Sequence, residues 1–492
     1  MNEFTFLLIA VVLTIFLLFS SKLLAKKGII TSSFARKFLH ISSGIFIPFV
    51  PFYVDSYFAM ILVGIFFTIL NLFLIKKKLI KELDATEQPN LGILYFPFAF
   101  LILVLIFWQI NKYIISFAFF IFALSDAMAA ILGKSIKFKN PFIVHDEPKT
   151  IVGAIGSLIT AFIVFFFLQI LFFNKFNFIS YTKFELLFIA ILVSIMASII
   201  ELISTRGSDN FYVPISIGIM GFFFFYKGII VENFVISFVL GAMIAFVSYR
   251  LKFLDVSGSL TTFILAIFIL GLGGWKWTIP ILSFFILSSI LSKISDKLKK
   301  ENFEEVNQKG GIRDKFQVLA NGGLSLFFCL LNYSLPEYKF WYSLYILSLA
   351  VATSDTWATE IGTLLTKKVR LITNFKLVDR GISGGISVSG TIGGMVGGLI
   401  IVFLGSLFDS EVQNYFILLL FFSLIGNLVD SFLGATIQVK YICQKCGKIT
   451  EKKEHCGINT SYYAGVSYVN NDLVNFLSPL FMSAIYFLSL II

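Results

Sequence analysis

Charged residues are scarce in this chain of 492 residues, since Asp, Glu, Lys and Arg together make up only 14% of it. An ordinary soluble domain contains about 25%. Hydrophobic residues make up 58%, which excludes a cytosolic globular enzyme and an intrinsically disordered protein. The four cysteines do not form the pattern of a disulfide-stabilised scaffold.

Long apolar segments fill most of the sequence. Many reach the roughly 20 residues that a helix needs to cross a bilayer, and we expect ~14–16 spans. The predicted fold class is therefore all-α, a polytopic helical membrane protein. Segments 38–53 and 316–333 are candidates for half-spans. The first apolar segment has a basic segment behind it and no small-residue cleavage site, which favours a membrane helix over a removed signal peptide.

Positive charge exceeds negative charge, with 39 Lys and Arg against 28 Asp and Glu and a formal net charge of +11. The basic residues gather in some of the polar loops, which by the positive-inside rule face the cytosol. An anionic substrate is the other interpretation of this excess. The sequence contains no basic, aromatic-interleaved soluble module, so nucleic acid is not an expected partner.

One motif occurs twice. Ser125–Gly133 reads SDAMAAILG and Ser354–Gly362 reads SDTWATEIG, so both are Ser-Asp-x-x-Ala-x-x-x-Gly. On a helix, the Asp shares one face with the small residues four and seven positions later. Each copy therefore offers a carboxylate above a strip where another group can approach closely.

Each copy is followed by a basic loop and a second match. Lys149–Ile155 reads KTIVGAI and Arg380–Ile386 reads RGISGGI, beginning 23 and 25 residues after the Asp. We interpret both as a cation at the start of a Gly-containing apolar helix, an arrangement that suits a phosphate. A carboxylate, Mg²⁺ and such a cradle are what phosphoryl transfer needs. The alternative is that small residues simply recur at helix-packing surfaces.

A Walker A loop is absent. Gly133, Lys134 and Ser135 imitate its end, but position 128 is Met where the first Gly belongs. No strand is predicted before this segment, so a soluble-type NTPase fold is not the source of the phosphate site.

The first half of the chain resembles the dolichol kinase/phytol kinase family of CTP-dependent polyprenol kinases. The matching stretches span about residues 30–215 and are Arg36–Gly44; Gly92 with Tyr95 and Pro97; Ser125–Lys134; Lys149–Gly153; and Glu201 followed by Arg206–Asn210 and Pro214. Many members of that family have Glu before the Gly of the Lys-Thr block. This chain has Val152 there, so no catalytic carboxylate is assigned to that position.

The second half, from about residue 232, is similar to another integral-membrane family, which includes plant phytyl-phosphate kinase. The matching stretches are Gly258; Gly273–Trp275; Gly310–Asp314 with Gln317, Asn321 and Gly322; Asp355–Glu360; Gly384–Ser387 with Gly390 and Thr391; Asp430 with Ser431, Gly434 and Gln438; and Asn471 with Asp472 and Asn475. Members of that family usually have Gly-Thr-x-Gly-Gly at Gly381–Gly385, where this chain departs mildly.

The two resemblances imply consecutive reactions. An isoprenoid alcohol of the phytol, geranylgeraniol or polyprenol type becomes the monophosphate in domain 1–230 and the diphosphate in domain 231–492. The expected phosphoryl donor is a nucleoside triphosphate, CTP by family resemblance, with Mg²⁺. The expected partners are the alcohol, its monophosphate, the nucleotide and membrane lipid. The protein is expected to be multi-pass, with both sites facing the cytosol.

Two alternatives remain at this point. A cytidylyltransferase acting on a lipid phosphate needs the same CTP, Mg²⁺ and carboxylates. A lipid-phosphate transporter or flippase would also contain two repeats with polar sites. The motifs lie on or beside the basic loops, at one membrane face, and this favours catalysis over transport.

Acidic residues are the candidates for catalysis. They are Asp126, Glu201 and Asp209 in the first half and Asp355, Glu360 and Asp430 in the second. An acidic side chain at a membrane helix end is costly without a cation or metal partner. We therefore expect Asp126, Asp209, Asp355 and Asp430 to hold Mg²⁺. For Asp126 and Asp355 the alternative is a structural pair with a nearby Lys.

Cations and polar groups are the candidates for binding the nucleotide phosphates. In the first half they are Arg36, Lys37, His40, Lys134, Lys149, Gly153, Arg206 and Asn210, and in the second half Arg313, Gln317, Asn321, Arg380, Gly384 and Gly385. For any one cation, the alternative is a marker of cytosolic orientation. For His40, the alternative is a buried, hydrogen-bonded side chain.

One polar loop contains Cys443, Cys446, His455 and Cys456. This combination suggests a structural Zn²⁺ that fixes the loop. The adjacent His and Cys make a single tetrahedral site awkward.

Overall fold

The computed structural model describes residues 3–29, 46–77, 91–135, 142–144, 147–176, 178–302 and 312–491, together with Phe38, Ser42 and Gly44. The chain divides into two units, Met1–Val231 and Glu232–Ile492. Both consist mainly of helices, and short antiparallel hairpins occur in their polar loops. The predicted helical membrane fold is confirmed.

In the first unit the elements follow the apolar segments of the sequence. They are α1 (Glu3–Lys26), a 3-10 turn (Ile47–Phe49), α2 (Val50–Tyr53), α3 (Tyr57–Lys76), α4 (Gly92–Asn111), α5 (Tyr113–Ser135), β1 (Phe142–Val144), β2 (Glu147–Lys149), α6 (Ile151–Phe176), α7 (Lys183–Ile203), α8 (Asp209–Gly221) and a π-helical turn (Phe222–Lys227). Helix α7 begins with a capping box, in which Thr182 and Glu185 satisfy each other's backbone N–H groups.

The elements of the second unit continue this order. They are α9 (Val231–Arg250), α10 (Val256–Asn302), α11 (Lys315–Ser334), α12 (Trp341–Leu365), β3 (Lys368–Leu371), β4 (Leu377–Asp379), β5 (Gly385–Ile386), α13 (Val388–Ser406), α14 (Ser410–Asn414), α15 (Phe416–Thr436), β6 (Lys440–Ile442), β7 (Ile449–Thr450), β8 (Glu454–His455), β9 (Ile458–Asn459), β10 (Ser461–Ala464) and α16 (Asn471–Ile491). Strands β6, β7 and β10 form one sheet, and β8 and β9 form a hairpin.

Among the described residues, 12 helices are long and apolar enough to cross a membrane, compared with the ~14–16 spans expected from segment length. Helix α10 contains two of the predicted spans, 257–272 and 277–293, which are separated by a kink at Gly274, where φ is 64° and ψ is −162°. Segment 316–333 is not a half-span, because it forms the complete 20-residue helix α11. Helix α12 is not among the 12, because acidic and hydroxyl side chains interrupt its apolar sequence.

Each unit has a core built on one central helix. In the first unit, Phe117 of α5 contacts the rings of Phe165, Phe178 and Phe225 at centroid distances below 6 Å. In the second unit, α12 is buried along most of its length by α10, α11, α13, α15 and α16. These two central helices, α5 and α12, are the ones that carry the repeated Ser-Asp motif.

Candidate functional site

The first unit contains a cavity of about 380 Å³. Apolar side chains from α1, α3 and α4 line much of it, including Val11, Val63 and Phe96. Its polar lining residues include Thr14 of α1 and Asn71 of α3, but most come from α5, from β2 and from the segment between the end of α7 and the start of α8; these are Asp126, Lys149, Glu201, Ser204, Asp209 and Asn210. The cavity thus combines an apolar wall with a cluster of carboxylates, a cation and an amide, which suits a ligand with a lipid tail and a polar head.

Lys149, the last residue of β2, contacts the end of α7 at the polar part of this cavity. Its Nζ donates to the backbone O of Glu201 at 3.0 Å and lies 3.4 Å from Glu201 Oε1. The carboxylate of Asp126 is near enough to Glu201 for their charges to repel. The structure therefore brings together three residues predicted for the first site.

The remaining candidates of the first half fall into two groups. Asp209 lies in the first turn of α8 and Asn210 follows it. Arg206 adopts a left-handed conformation, φ 54°, in the turn before α8. Lys134 lies in the last turn of α5, and its side chain is outside the described part of the chain. Arg36, Lys37 and His40 also lie outside the described residues.

Helices α5 and α6 approach closely at two glycines. A Cβ atom on Gly153 would lie 3.0 Å from the backbone O of Ala129 and 3.0 Å from Thr150 Oγ1. Thr150 Oγ1 accepts a hydrogen bond of 3.1 Å from the N–H of Gly153 at the start of α6. A Cβ atom on Gly133 would lie 2.9 Å from the same hydroxyl oxygen.

The same set of contacts occurs between α12 and α13. A Cβ atom on Gly390 would lie 2.9 Å from the backbone O of Ala358 and 3.0 Å from Ser387 Oγ. Ser387 Oγ accepts from the N–H of Gly390 at 3.1 Å. Gly362 takes the place of Gly133, with Ser387 Oγ 3.1 Å from its Cβ position. The repeated Ser-Asp motif therefore marks the same helix-packing arrangement in both units.

This correspondence corrects the second match predicted from the sequence. The structural counterpart of Gly153 is Gly390, not Gly384, and Arg380–Ile386 does not begin a helix. It belongs to the loop and strands before α13, which starts at Val388. In the second unit, Ile386 is the counterpart of Lys149. Each of these residues comes immediately before the residue whose hydroxyl group caps the helix, Ser387 and Thr150 respectively.

The other predicted residues of that loop have packing contacts. Arg380 Nη1 donates to the backbone O of Thr363 at 3.1 Å. Gly384 has φ 86°, and a Cβ atom added to it would collide with Ala435 of α15. Gly385 is in β5 and packs against Val369. These contacts would explain the glycines without a bound nucleotide.

The repeat also includes α7 in the first unit and α15 in the second, which the sequence pattern alone did not predict. Helix α7 carries Ser194, Ser198 and Glu201, and α15 carries Ser423, Asn427 and Asp430, with spacings of four and three residues in both. Ser198 donates to a backbone O in α6 at 2.8 Å, and Asn427 Nδ2 lies 3.0 Å from the Cβ position of Gly394 in α13. Glu201 and Asp430 are thus equivalent positions.

A fourth element also matches. Helix α8 begins with DNFYVP and α16 contains VNFLSP, so Asn210 and Asn475 each stand four residues before a Pro within a helix. The sequence contains this signal as the pattern Asn-Phe-x-x-Pro, which occurs once in each of these two helices. The repeated module in each unit is therefore four helices, α5–α8 and α12, α13, α15 and α16.

The second unit places two acidic residues of its module together. Asp355 and Asp430 lie within hydrogen-bonding reach of each other, and Ser478 Oγ of α16 donates to Asp430 Oδ2 at 3.0 Å. Among the described residues, neither carboxyl group is paired with a Lys or Arg. Adjacent carboxylates supply the oxygen ligands that Mg²⁺ prefers, so the residues present fit the predicted metal.

The predicted nucleotide-binding residues of the second unit gather elsewhere. Arg313, Gln317 and Asn321 line a cavity of about 80 Å³ between α9, α10 and α11, whose lining includes neither Asp355 nor Asp430. Burial lowers the pKa of Arg313, and the nearby Glu360 opposes that shift. Glu360 therefore contributes to the surroundings of Arg313, and the predicted second site occupies two places in the structure.

The helices, the buried acidic groups and the lipid-sized cavity define an integral, multi-pass membrane protein. A family model matches residues 239–483, and the chain belongs to that family, the integral membrane protein family DUF92.

Curated relatives support the same assignment. Protein PGR of Arabidopsis thaliana is 31% identical over 274 residues, which are 51% of this chain and 93% of that protein. The uncharacterized membrane protein MJ0933 of Methanocaldococcus jannaschii is 33% identical over 42% of this chain and 84% of its own length. The chloroplastic protein VTE6 of Arabidopsis thaliana is 24% identical over 50% of this chain and 66% of its own length. No solved structure matches the chain.

Proposed function

We propose that this protein is a membrane lipid kinase with two sites. The first unit phosphorylates an isoprenoid alcohol to the monophosphate, and the second unit adds another phosphoryl group to give the diphosphate. The donor is a nucleoside triphosphate, CTP by resemblance to the polyprenol kinases. The observation that carries this proposal is the four-helix module, which places a pair of acidic residues at equivalent positions in both units.

The first cavity supports an amphiphilic acceptor. Its apolar lining from α1, α3 and α4 matches a prenyl chain, and the hydroxyl would lie among Asp126, Lys149 and Glu201. A carboxylate near the hydroxyl can accept its proton as the oxygen attacks phosphorus. The Lys149 ammonium group offsets the negative charge that would otherwise repel a triphosphate.

The second site supports the same chemistry on a more anionic acceptor. Bound Mg²⁺ would be held by Asp355 and Asp430 and would neutralise phosphate charge. Asp430 is oriented by the hydroxyl group of Ser478. The module has no cation at the Lys149 position, and Arg313 lies with Glu360 in a separate cluster. We propose that this cluster binds the phosphate tail of the nucleotide.

The orientation of both sites toward the cytosol belongs to the same proposal. The polar residues of both modules are near the basic loops that the positive-inside rule assigns to the cytosol. A soluble nucleotide would reach the sites from that side, while the lipid remains in the bilayer.

Product analysis with purified protein tests this function. The protein is incubated with labelled CTP, Mg²⁺ and a panel of prenyl alcohols. A kinase releases CDP and forms lipid monophosphate and then diphosphate. Release of pyrophosphate with a CDP-linked lipid would establish a cytidylyltransferase instead. Movement of a lipid phosphate across a vesicle membrane without nucleotide turnover would establish a transporter.

A further inference from the structure

Residues 437–470 form an insert between α15 and α16, the last two helices of the second module. In the first module, the corresponding helices α7 and α8 are joined by residues 204–208 alone. The insert consists of strands β6 to β10 and contains three of the four cysteines and one of the three histidines of the chain. The proposed lipid chemistry gives these residues no role.

Four side chains of the insert converge. One ligand atom each from Cys443, Cys446, His455 and Cys456 can be chosen so that all lie within 4.8 Å of one another. His455 Nδ1 lies 3.4 Å from the Sγ of Cys446 and 3.2 Å from that of Cys456. Around tetrahedral zinc, with Zn–S of about 2.3 Å and Zn–N of about 2.0 Å, ligand atoms lie about 3.6–3.8 Å apart. The cluster is therefore close to the size that zinc requires.

The backbone shows how adjacent His455 and Cys456 face the same point. Cys456 and Gly457 form the two-residue loop between β8 and β9, and their φ values are 54° and 75°. Two positive φ values are typical of a type I′ hairpin turn. A non-Gly residue rarely adopts this conformation, and here it directs the Cys456 thiol toward His455.

The first two cysteines lie on a second tight turn. The N–H of Gly447 donates to the backbone O of Cys443 at 2.9 Å, and the N–H of Cys443 donates to the O of Lys448 at 3.0 Å. Gly447 has φ 68°, so the chain reverses immediately after Cys446. The two turns present their side chains to each other.

We propose that Cys443, Cys446, His455 and Cys456 bind one structural Zn²⁺, and that this ion positions Glu451 of the insert beside the second acidic site. Thiolate and imidazole are the ligands that select zinc in structural sites, and a Cys₃His set closes its coordination. The second part of the proposal rests on the proposed function, whereas the first part does not.

Glu451 links the insert to the module. It lies between the two turns and accepts a hydrogen bond from Ser383 Oγ. The Cβ atom of Ser383 lies 3.4 Å from the Cβ position of Gly434, one helical turn after Asp430 on α15. Gly384, which follows Ser383 in the sequence, packs against Ala435 of α15. Because zinc would fix both turns that flank Glu451, it would also fix the position of this carboxylate.

Metal analysis of the purified full-length protein tests the site directly. We expect about one zinc ion per chain, and we expect Cys446→Ser and Cys456→Ser to lose most of it. Both residues are exposed, so these substitutions leave the apolar core intact. Cys329→Ala is the control for loss of a thiol outside the insert, because Cys329 lies in α11, and it should retain full zinc content. Equal zinc content in the Cys446 and Cys329 variants would overturn the site.

Thiol reactivity gives a second test that needs no variant. In the zinc-bound native protein, the three insert thiols should resist alkylation, and a strong chelator should make all three reactive. Mass spectrometry after alkylation identifies the modified cysteines. Thiols that react equally with and without chelator would contradict zinc binding. A native protein whose mass is lower than expected by two hydrogens would also contradict zinc binding, because this mass shows a disulfide between two of the insert cysteines.

Hydrogen exchange and kinetics together test the positioning of Glu451. Zinc removal should speed amide exchange in the peptide containing Ser383, a readout that holds even if the lipid kinase proposal fails. If that proposal is correct, zinc removal should slow the second phosphorylation but not the first. In the Glu451→Gln variant, zinc removal should not lower the rate of the second phosphorylation any further. The substitution and the loss of zinc would both act through the carboxylate of Glu451, so their effects should not add. Additive losses, or unchanged exchange, would overturn the positioning role.

Discussion

Asp355 and Asp430 face each other within hydrogen-bonding reach, one from α12 and the other from α15. Two neighbouring carboxyl groups in a membrane-embedded bundle repel each other unless a cation or a shared proton lies between them. The first unit has an acidic residue at each equivalent position, Asp126 and Glu201, with Lys149 bound to the second. The repeat thus conserves the negative pair while its electrostatic partner differs between the units.

Asp355→Asn should stop the second reaction and leave the first intact. The amide keeps the shape of the side chain but removes half of the acidic pair, so we expect the rate of diphosphate formation to fall by about 100-fold or more. Monophosphate should accumulate in assays with labelled CTP. Asp379→Asn, at an exposed position in the same unit, is the control and should behave as wild type.

Asp126→Asn should abolish monophosphate formation. The variant should still convert added prenyl monophosphate to the diphosphate, because the second module is unchanged. Asp55→Asn is the matched control, since Asp55 is exposed and pairs with Lys112 away from the cavity. Loss of the same step in the Asp126 and Asp355 variants would refute the assignment of two separate sites.

Gly390→Ala should destabilise the second unit. The added Cβ would lie 2.9 Å from the backbone O of Ala358, so α12 and α13 must shift, at a cost of about 1–3 kcal/mol. Thermal unfolding followed by tryptophan fluorescence measures this loss. Gly323→Ala in α11 is the comparison, because its Cβ position has no neighbour closer than 3.9 Å. Equal stability of the two variants would show that the close approach is not required.

Val63→Trp should narrow the apolar part of the first cavity. Val63 lines that cavity, so a bulky ring there should raise KM for long prenyl alcohols by roughly tenfold. Short-chain alcohols should be affected less. The neighbouring Leu62→Trp places the same ring on an exposed position of α3 and should leave KM unchanged. A uniform change for all chain lengths would argue against a lipid tail at this place.

The sequence was sufficient for the helical membrane fold, because hydropathy depends on local composition. It also located the Ser-Asp motif, whose spacing follows one helix face. The match between Lys149 and Arg380 was wrong because Gly-rich stretches look alike, whether they begin a helix or form a loop. Only the contacts of Gly390 with Ala358 identify the true counterpart.

Other features depend on contacts between distant segments. The equivalence of Glu201 and Asp430 was hidden because the two residues differ in type and the insert separates Asp430 from α16. Residues from elements as far apart as α1 and α8 line the cavity of the first unit. Because these residues are far apart in the sequence, no local pattern predicts the volume of the cavity. The sequence alone does not show how adjacent His455 and Cys456 could both bind one tetrahedral zinc ion. The left-handed conformation of Cys456 brings its thiol next to the His455 ring, so both side chains can face one point.

The glycine contact between α5 and α6 bears on the route by which the proposed prenyl substrate would enter the first cavity. At Gly133 and Gly153 the two helices pack so closely that an added Cβ atom would lie 2.9–3.0 Å from the facing residues, so there is no gap between α5 and α6 at these positions. Residues of helix α1 also line this cavity, and only 11% of the most apolar 18-residue stretch of α1 is buried within the protein. If the kinase proposal is correct, we expect a prenyl chain to enter the cavity beside α1 directly from the bilayer, without passing through water.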